Sequence, residues 1–265
     1  MKAFLIPLFI SLQFLTRLPV SFLLRSNESH TDIYTPDNMA RTLKYYPVVG
    51  LIIGATLVSL VLLLQTFAPS HTLYMAGLVG VLWILITGGL HLDGVADMAD
   101  AWVGGLGDKE KTLRIMKDPV CGPFGVLAIV LVILLKVIFI YELLSFNFYL
   151  IFLPPLLARI WVIVLLMTTP YVREQGMGSN LVSSVQKLKN IFSILIFSTL
   201  AFVFLSLLLN ISIAVLLVLI SGLFGFFYRM QIMQRLGGIT GDVAGAFIEY
   251  MELMILFGMI TLLMM

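Results

Sequence analysis

Residues 73–90 read LYMAGLVGVLWILITGGL, a run without a single charge, and residues 91–100 continue it as His91-Leu92-Asp93-Gly94-Val95-Ala96-Asp97-Met98-Ala99-Asp100. A stretch apolar enough to enter a bilayer thus ends in three carboxylates. Asp93 and Asp97 are four apart and Asp97 and Asp100 three apart, so a helix carries all three on one stripe. Left bare, that stripe repels itself by about 0.2–0.5 kcal/mol per pair in water, and each carboxylate drawn toward hydrocarbon costs about 2.5 kcal/mol or more. A bound cation would remove both penalties.

The rest of the chain has the same character. Of its 265 residues 60% are hydrophobic and only 11% charged, with a mean hydropathy of +1.08. No soluble globule of this size carries such a balance, so the expected fold class is all-α: a single polytopic transmembrane helical bundle over 1–265 with short cytoplasmic loop helices. Apolar spans fit at 47–67, 73–90, 123–143, 149–169, 191–209, 211–228 and 243–265. The stretch 3–24 is long enough for an eighth, but Gln13, Arg17 and Pro19 fall in its second half, so it either crosses or lies along the interface. The expectation is seven to eight membrane helices. Threading them gathers Arg25, Arg41, Lys44, Lys109, Lys111, Arg114, Lys117, Arg173, Lys187, Lys189, Arg229 and Arg235 on one side, while 68–72, 144–148 and the turn around Asn210 hold no Lys or Arg. The positive-inside rule makes the basic side cytoplasmic.

A net charge of +2 offers nothing to nucleic acid, and one cysteine excludes both an internal disulfide and a cysteine metal cluster. Cys121 reads as a small packing residue. The polar groups expected at mid-depth are few, namely Lys136, Arg159, Glu249 and Glu252, which argues against a transport pathway. Everything else polar falls on the cytoplasmic face. Gly104-Gly105-Leu106-Gly107 stops the acidic helix, Asp108 caps a short second helix to about Lys117, and Pro119 ends it. There Arg114, Lys117 and Asp118 follow at one-turn spacing, suited to sharing a phosphate with a metal held by the aspartates.

Gly237-Gly238-Ile239-Thr240-Gly241-Asp242 opens into the last span, where Asp242 serves either as its cap or as a chemical group. Glu249, two turns inside that span, requires a cation, a proton or a donor. Next to three aspartates, His91 is suited to metal binding, to orienting a ligand or to proton transfer. Arg17, Arg41 and Lys44 read as snorkelling cations or substrate anchors. The polar stretch 26–38 reads as a mobile cytoplasmic loop, and 174–190 as a substrate lid.

The chain resembles cobalamin synthase, the adenosylcobinamide-GDP ribazoletransferase family. The resemblance rests on Phe14-Leu15-Thr16-Arg17-Leu18-Pro19, on Gly88 through Asp100, on Leu113-Arg114-Ile115-Met116-Lys117-Asp118-Pro119 running to Gly122 and Gly125, and on Gly238 through Ala246. These segments stand in family order over nearly the whole chain; Val120 and Cys121, after the proline, replace residues that are often basic or polar. The resemblance implies an enzyme that joins α-ribazole, or its 5′-phosphate, to adenosylcobinamide-GDP and releases GMP with magnesium. It further implies that Asp93, Asp97 and Asp100 hold the metal, that Arg114 and Lys117 steady phosphoryl oxygens, and that Asp242 or His91 takes the proton of the attacking hydroxyl. Arg17, Lys44, Asp118, Thr240 and Glu249 are expected to contact substrate. A homo-oligomer or an association with other corrinoid-assembly enzymes stays open. A CDP-alcohol phosphotransferase-like enzyme is the nearest rival, but Asp93-Gly94-Val95-Ala96-Asp97 lacks that signature's arginine; a cation transporter is a more distant one.

Overall fold

The computed structural model describes residues 2–20, 33–68, 70–172 and 189–265, and these are helical throughout apart from turns and one isolated bridge. In chain order the helices are α1 (Lys2–Leu15), α2 (Pro36–Thr42), α3 (Tyr46–Phe67), α4 (Thr72–Thr87), α5 (Leu90–Gly105), α6 (Lys109–Ile115), α7 (Pro123–Asn147), α8 (Leu153–Thr168), α9 (Lys189–Leu209), α10 (Ile211–Leu236) and α11 (Gly241–Met264). Short 3-10 turns at Leu43–Tyr45 and Phe148–Phe152 precede α3 and α8. Residues 21–32 and 173–188, with Arg25, His30, Arg173, Lys187 and all but the last two residues of the expected 174–190 lid, lie outside the described residues.

The membrane count differs from the expected seven to eight. Among the described residues four segments are long and apolar enough to cross: Asp37–Phe67, Pro123–Thr168, Ile211–Leu236 and Gly241–Met264; a bent pair, Thr72–Thr87 with Leu90–Gly105, makes a fifth. Three local causes account for the difference. The expected spans 123–143 and 149–169 fall within one 46-residue segment, roughly twice the 20 residues one crossing needs; the 3-10 turn and Pro154-Pro155 break its helix between α7 and α8. At the end of 73–90, Gly88 and Gly89 both take left-handed backbone, with φ of 63° and 67°, and turn α5 away from α4 by 88°. Glycine alone adopts two such residues in succession without strain. Among the described residues of α1 and α9 the apolar stretches run Leu5–Leu15 and Leu195–Leu209, shorter than one crossing.

The core runs down α3, α8 and α11, with Val49, Ile53, Leu57, Ile163, Met251 and Ile255 fully buried, while α9, α10 and α7 present rows of exposed Leu, Ile, Val and Phe outward. A helix that is apolar all round yet exposed on one side belongs in lipid. At mid-depth the four ionisable residues singled out in the sequence meet. The Lys136 ammonium donates to Glu249 at 2.6 Å and to Glu252 at 2.7 Å, and Arg159 pairs with the other oxygen of Glu252. Lys136 also lies 4.5 Å from the Trp83 ring centroid. Two cations and two anions thereby join α7, α8 and α11 with no net charge left in the apolar layer. The cation that Glu249 requires comes from the protein itself.

Candidate functional site

The site is built where α5 packs against the start of α11. Gly94 permits it, since a Cβ there would collide with the Asp242 carbonyl oxygen, and Gly245 lies so near that its own Cβ would stand 3.3 Å from the His91 Cα. The two glycines let the backbones touch, which sets His91, Asp93 and Asp97 beside Asp242. Asp93 is exposed, Asp97 and Asp242 are half-buried and each engaged by a neighbour, and His91 is buried. The His91 Nδ1 sits 3.9 Å from a Glu249 oxygen and has no hydrogen-bond partner among the described residues.

Asp100, at the end of the stripe, is committed to the next helix. Its carboxylate accepts the backbone N–H of Gly122 at 2.7 Å and of Gly125 at 2.9 Å, so it caps the first turn of α7 from 22 residues away. An anionic acceptor on orphan amides at a helix start is favoured both by hydrogen bonding and by the helix dipole. Cys121, immediately before Gly122, is exposed on the surface, which corrects the expectation of a small packing residue. Desolvation first, then the charges of Asp100, Asp97 and Asp93, push its thiol above the usual cysteine range. All three carboxylates therefore act on one point.

The flanking cations are arranged around this stripe. Arg17 is exposed, donates its N–H to the Ile86 carbonyl at 2.7 Å and packs its side chain over Gly88, at the bend that launches α5. As expected, Asp108 caps α6, accepting the Lys111 N–H at 3.0 Å, and α6 lies along the end of α5 with Thr112 on Gly105. Arg114 and Lys117 at its far end are exposed. Arg235, at the close of α10, donates to the Trp102 carbonyl at 3.0 Å and stacks over that ring, holding the outer end of α5 in place.

Four expected contacts are otherwise employed. Thr240, not Asp242, caps α11: it is fully buried and its hydroxyl accepts the Val243 N–H. Glu249 is buried on Lys136, which corrects its assignment as a substrate contact, because a carboxylate sealed by an ammonium at this depth is out of a solute's reach. Asp118 accepts the Val120 N–H in its own turn, and the Lys44 ammonium lies over the Tyr45 ring at 4.9 Å. Tyr171 and Tyr46 were not singled out by the sequence. The Pro170 carbonyl and the Val172 N–H pair with Ile239 in a short bridge, bringing Tyr171 against the Gly-rich loop, and both tyrosines line a cavity next to His91.

Among the described residues no three His, Cys, Asp or Glu side chains converge into a ready cage for a metal. What α5 offers instead is a row of carboxylate oxygens, hard donors of the kind that complete an ion's shell together with water and a phosphate-bearing ligand.

A family model described as cobalamin-5-phosphate synthase matches residues 7–260. Proteins named adenosylcobinamide-GDP ribazoletransferase from Acinetobacter baumannii (strain ACICU), Stutzerimonas stutzeri (strain A1501) and Pseudomonas entomophila (strain L48) are 43%, 39% and 41% identical to this chain. They cover 95%, 96% and 96% of it, and the matches span 95%, 98% and 98% of their own lengths. No solved structure matches it. The chain belongs to the cobalamin-5-phosphate synthase family.

Proposed function

We propose that this protein is an adenosylcobinamide-GDP ribazoletransferase, joining α-ribazole or its 5′-phosphate to adenosylcobinamide-GDP and releasing GMP. The observation that carries the reading is the α5–α11 junction, where exposed and half-buried aspartates, Asp242 and His91 share one surface in a chain 43% identical over 255 residues to a protein of that name. The reaction is an attack by a ribose hydroxyl on the phosphorus attached to the cobinamide. A new P–O bond forms, the bond to the GMP oxygen breaks, and the hydroxyl proton passes to a base. Catalysis of this kind is positioning and charge neutralisation.

Asp93 and Asp97 fit magnesium in their donor chemistry, since that ion is commonly held by one or two carboxylates with phosphates and water, while Asp100, both of whose oxygens accept N–H groups of Gly122 and Gly125, anchors the end of the stripe. When bound there it would offset charge on the diphosphate. Arg114 and Lys117, exposed on the neighbouring loop, steady phosphoryl oxygens, and Arg17 at the α4–α5 bend holds an anionic end of the substrate. Asp242 or His91 accepts the proton. The cytoplasmic face and the bacterial inner membrane are supported by the basic residues that flank this site and by the Lys- and Arg-free turns at 68–72, 144–148 and Asn210.

GMP release by the purified full-length protein in detergent, given adenosylcobinamide-GDP and α-ribazole with and without magnesium, tests the proposal. Turnover that needs magnesium and vanishes in Asp97→Asn is expected. Uptake of ions into vesicles without GMP release would point to a transporter instead.

A further inference from the structure

Beside the acidic stripe, between α1, α3, α5, α8 and α11, lies a cavity of about 290 Å³. Its walls include Phe14, Tyr46, His91, Val162, Tyr171 and Ala244. Three of these rings are aromatic hydrocarbon surface and most of the remaining lining is aliphatic. Yet the cavity is not uniformly apolar: His91 belongs to its wall, is 4% exposed, and keeps an Nδ1 without a hydrogen-bond partner among the described residues. Tyr46, Tyr171 and Thr240 add polar side chains to the same wall, beside carbon surface from Leu15, Leu166 and Ile248.

Size and position narrow the occupant. The volume lies at the lower end of the roughly 300–1,000 Å³ typical of small-molecule sites, which suits one bicyclic aromatic and excludes a corrin macrocycle with its side arms. The floor is reached from the start of α11, where Gly241 and Thr240 line the cavity one residue from Asp242. A ring seated inside therefore leaves its attached sugar beside the carboxylates. Most of the lining is carbon surface, which suits the apolar body of a benzimidazole with its one free ring nitrogen better than a guanine with polar edges on two sides.

Resting on the transferase reading, we propose that this cavity is the acceptor-base pocket: it takes the benzimidazole of the incoming ribazole and by its shape selects which base is built into the product. Ala244 and Val162 are then specificity residues that touch the base and take no part in the chemistry.

The test varies the two substrates separately in the GMP-release assay with full-length protein. Ala244→Leu puts an isobutyl group into the cavity and is expected to raise KM for α-ribazole by roughly 10- to 200-fold, the discrimination that a methylene or more commands in an apolar pocket. KM for adenosylcobinamide-GDP should stay as in the unaltered protein. Val162→Ala enlarges the same space and should shift preference from dimethylbenzimidazole toward a bulkier tricyclic base. An unchanged α-ribazole KM in Ala244→Leu, or a rise confined to adenosylcobinamide-GDP, overturns the assignment, the second result placing guanine there instead. If Ala244→Leu fails to fold, Val162→Ala decides alone, an unaltered base preference being the refuting result. Absence of GMP release from the unaltered protein would remove the transferase reading but not the cavity. In that event the fluorescence of α-ribazole on titration with the protein, displaced by dimethylbenzimidazole and not by guanosine, still supports the pocket, and no change in fluorescence refutes it.

Discussion

Adding one methyl group at Gly122 isolates the clasp between Asp100 and the start of α7. Gly122 has extended backbone, φ −85° and ψ 175°, which alanine adopts freely, so Gly122→Ala carries no conformational penalty. Its only consequence is steric: the new Cβ would lie 2.6 Å from Asp100 Oδ1 and 2.9 Å from its Cγ, whereas ordinary contact begins at 3.4 Å. Relief requires a shift of about 0.8 Å, the difference between 3.4 and 2.6 Å. That shift stretches hydrogen bonds of 2.7 and 2.9 Å beyond useful geometry. Because water reaches this turn in part, losing the cap costs about 1–2 kcal/mol, the usual range for such caps. In a chain of this size that lowers the thermal midpoint by roughly 2–8 °C. Asp100 moves at the same time, and a displacement near 1 Å in a positioning group reduces turnover by about a hundredfold. Thermal unfolding in detergent and GMP release measure both on one preparation, with Gly77→Ala, whose Cβ meets nothing within 4 Å, as the matched control. A Gly122→Ala protein with unaltered midpoint and unaltered rate would refute the clasp and with it the rigidity assigned to the end of the stripe.

Other substitutions probe the interior and the surface. Lys136→Met leaves Glu249 and Glu252 with Arg159 alone and is expected to destabilise the detergent-solubilised protein by about 3–5 kcal/mol; Glu249→Gln in the same chain should recover part of the loss, and no recovery would show that the pair is not the cause. Cys121, its thiol pushed up, carries less thiolate at a given pH than a free cysteine, so iodoacetamide should modify it slowly at neutral pH, with the rate rising only well into the alkaline range. Asp93→Asn removes one of the raising charges and should quicken the reaction, as should magnesium if it neutralises the stripe; a rate indifferent to both would separate Cys121 from the carboxylates. Gly94→Ala thrusts a methyl group into the Asp242 carbonyl and should abolish most activity while α5 itself, gaining helix propensity, stays folded; near-normal GMP release would mean the two helices need not touch.

The acidic stripe and the cap at Asp108 were legible because they depend on spacing within one helix or one turn. So was the need of Glu249 for a partner, since the cost of a lone carboxylate in an apolar helix follows from composition alone. Its partner was not: Lys136 is 113 residues away, and nothing in either helix states which faces meet. Asp100 shows the same limit in reverse. Its place on the stripe is periodicity, whereas its duty as a cap for α7 depends on a loop folding back over 22 residues. Hydropathy registers the apolarity of Gly88-Gly89 and not their left-handed backbone, so the apolar span 73–90 carries no sign of the bend at its end. Thr240 took the cap expected of Asp242 because both are good N-cap residues and the helix begins two residues earlier. Of the cavity walls, Tyr46 comes from the start of α3 and Tyr171 from the bridge to Ile239, so no local pattern announces them.

The buried quartet of Lys136, Arg159, Glu249 and Glu252 has one more consequence. A single uncompensated charge in the bilayer feels roughly 2.3 kcal/mol for every 100 mV across it, yet two positive and two negative groups clustered together experience almost no net pull. The quartet itself therefore presents the same interior to an energised cell and to one whose gradient has collapsed.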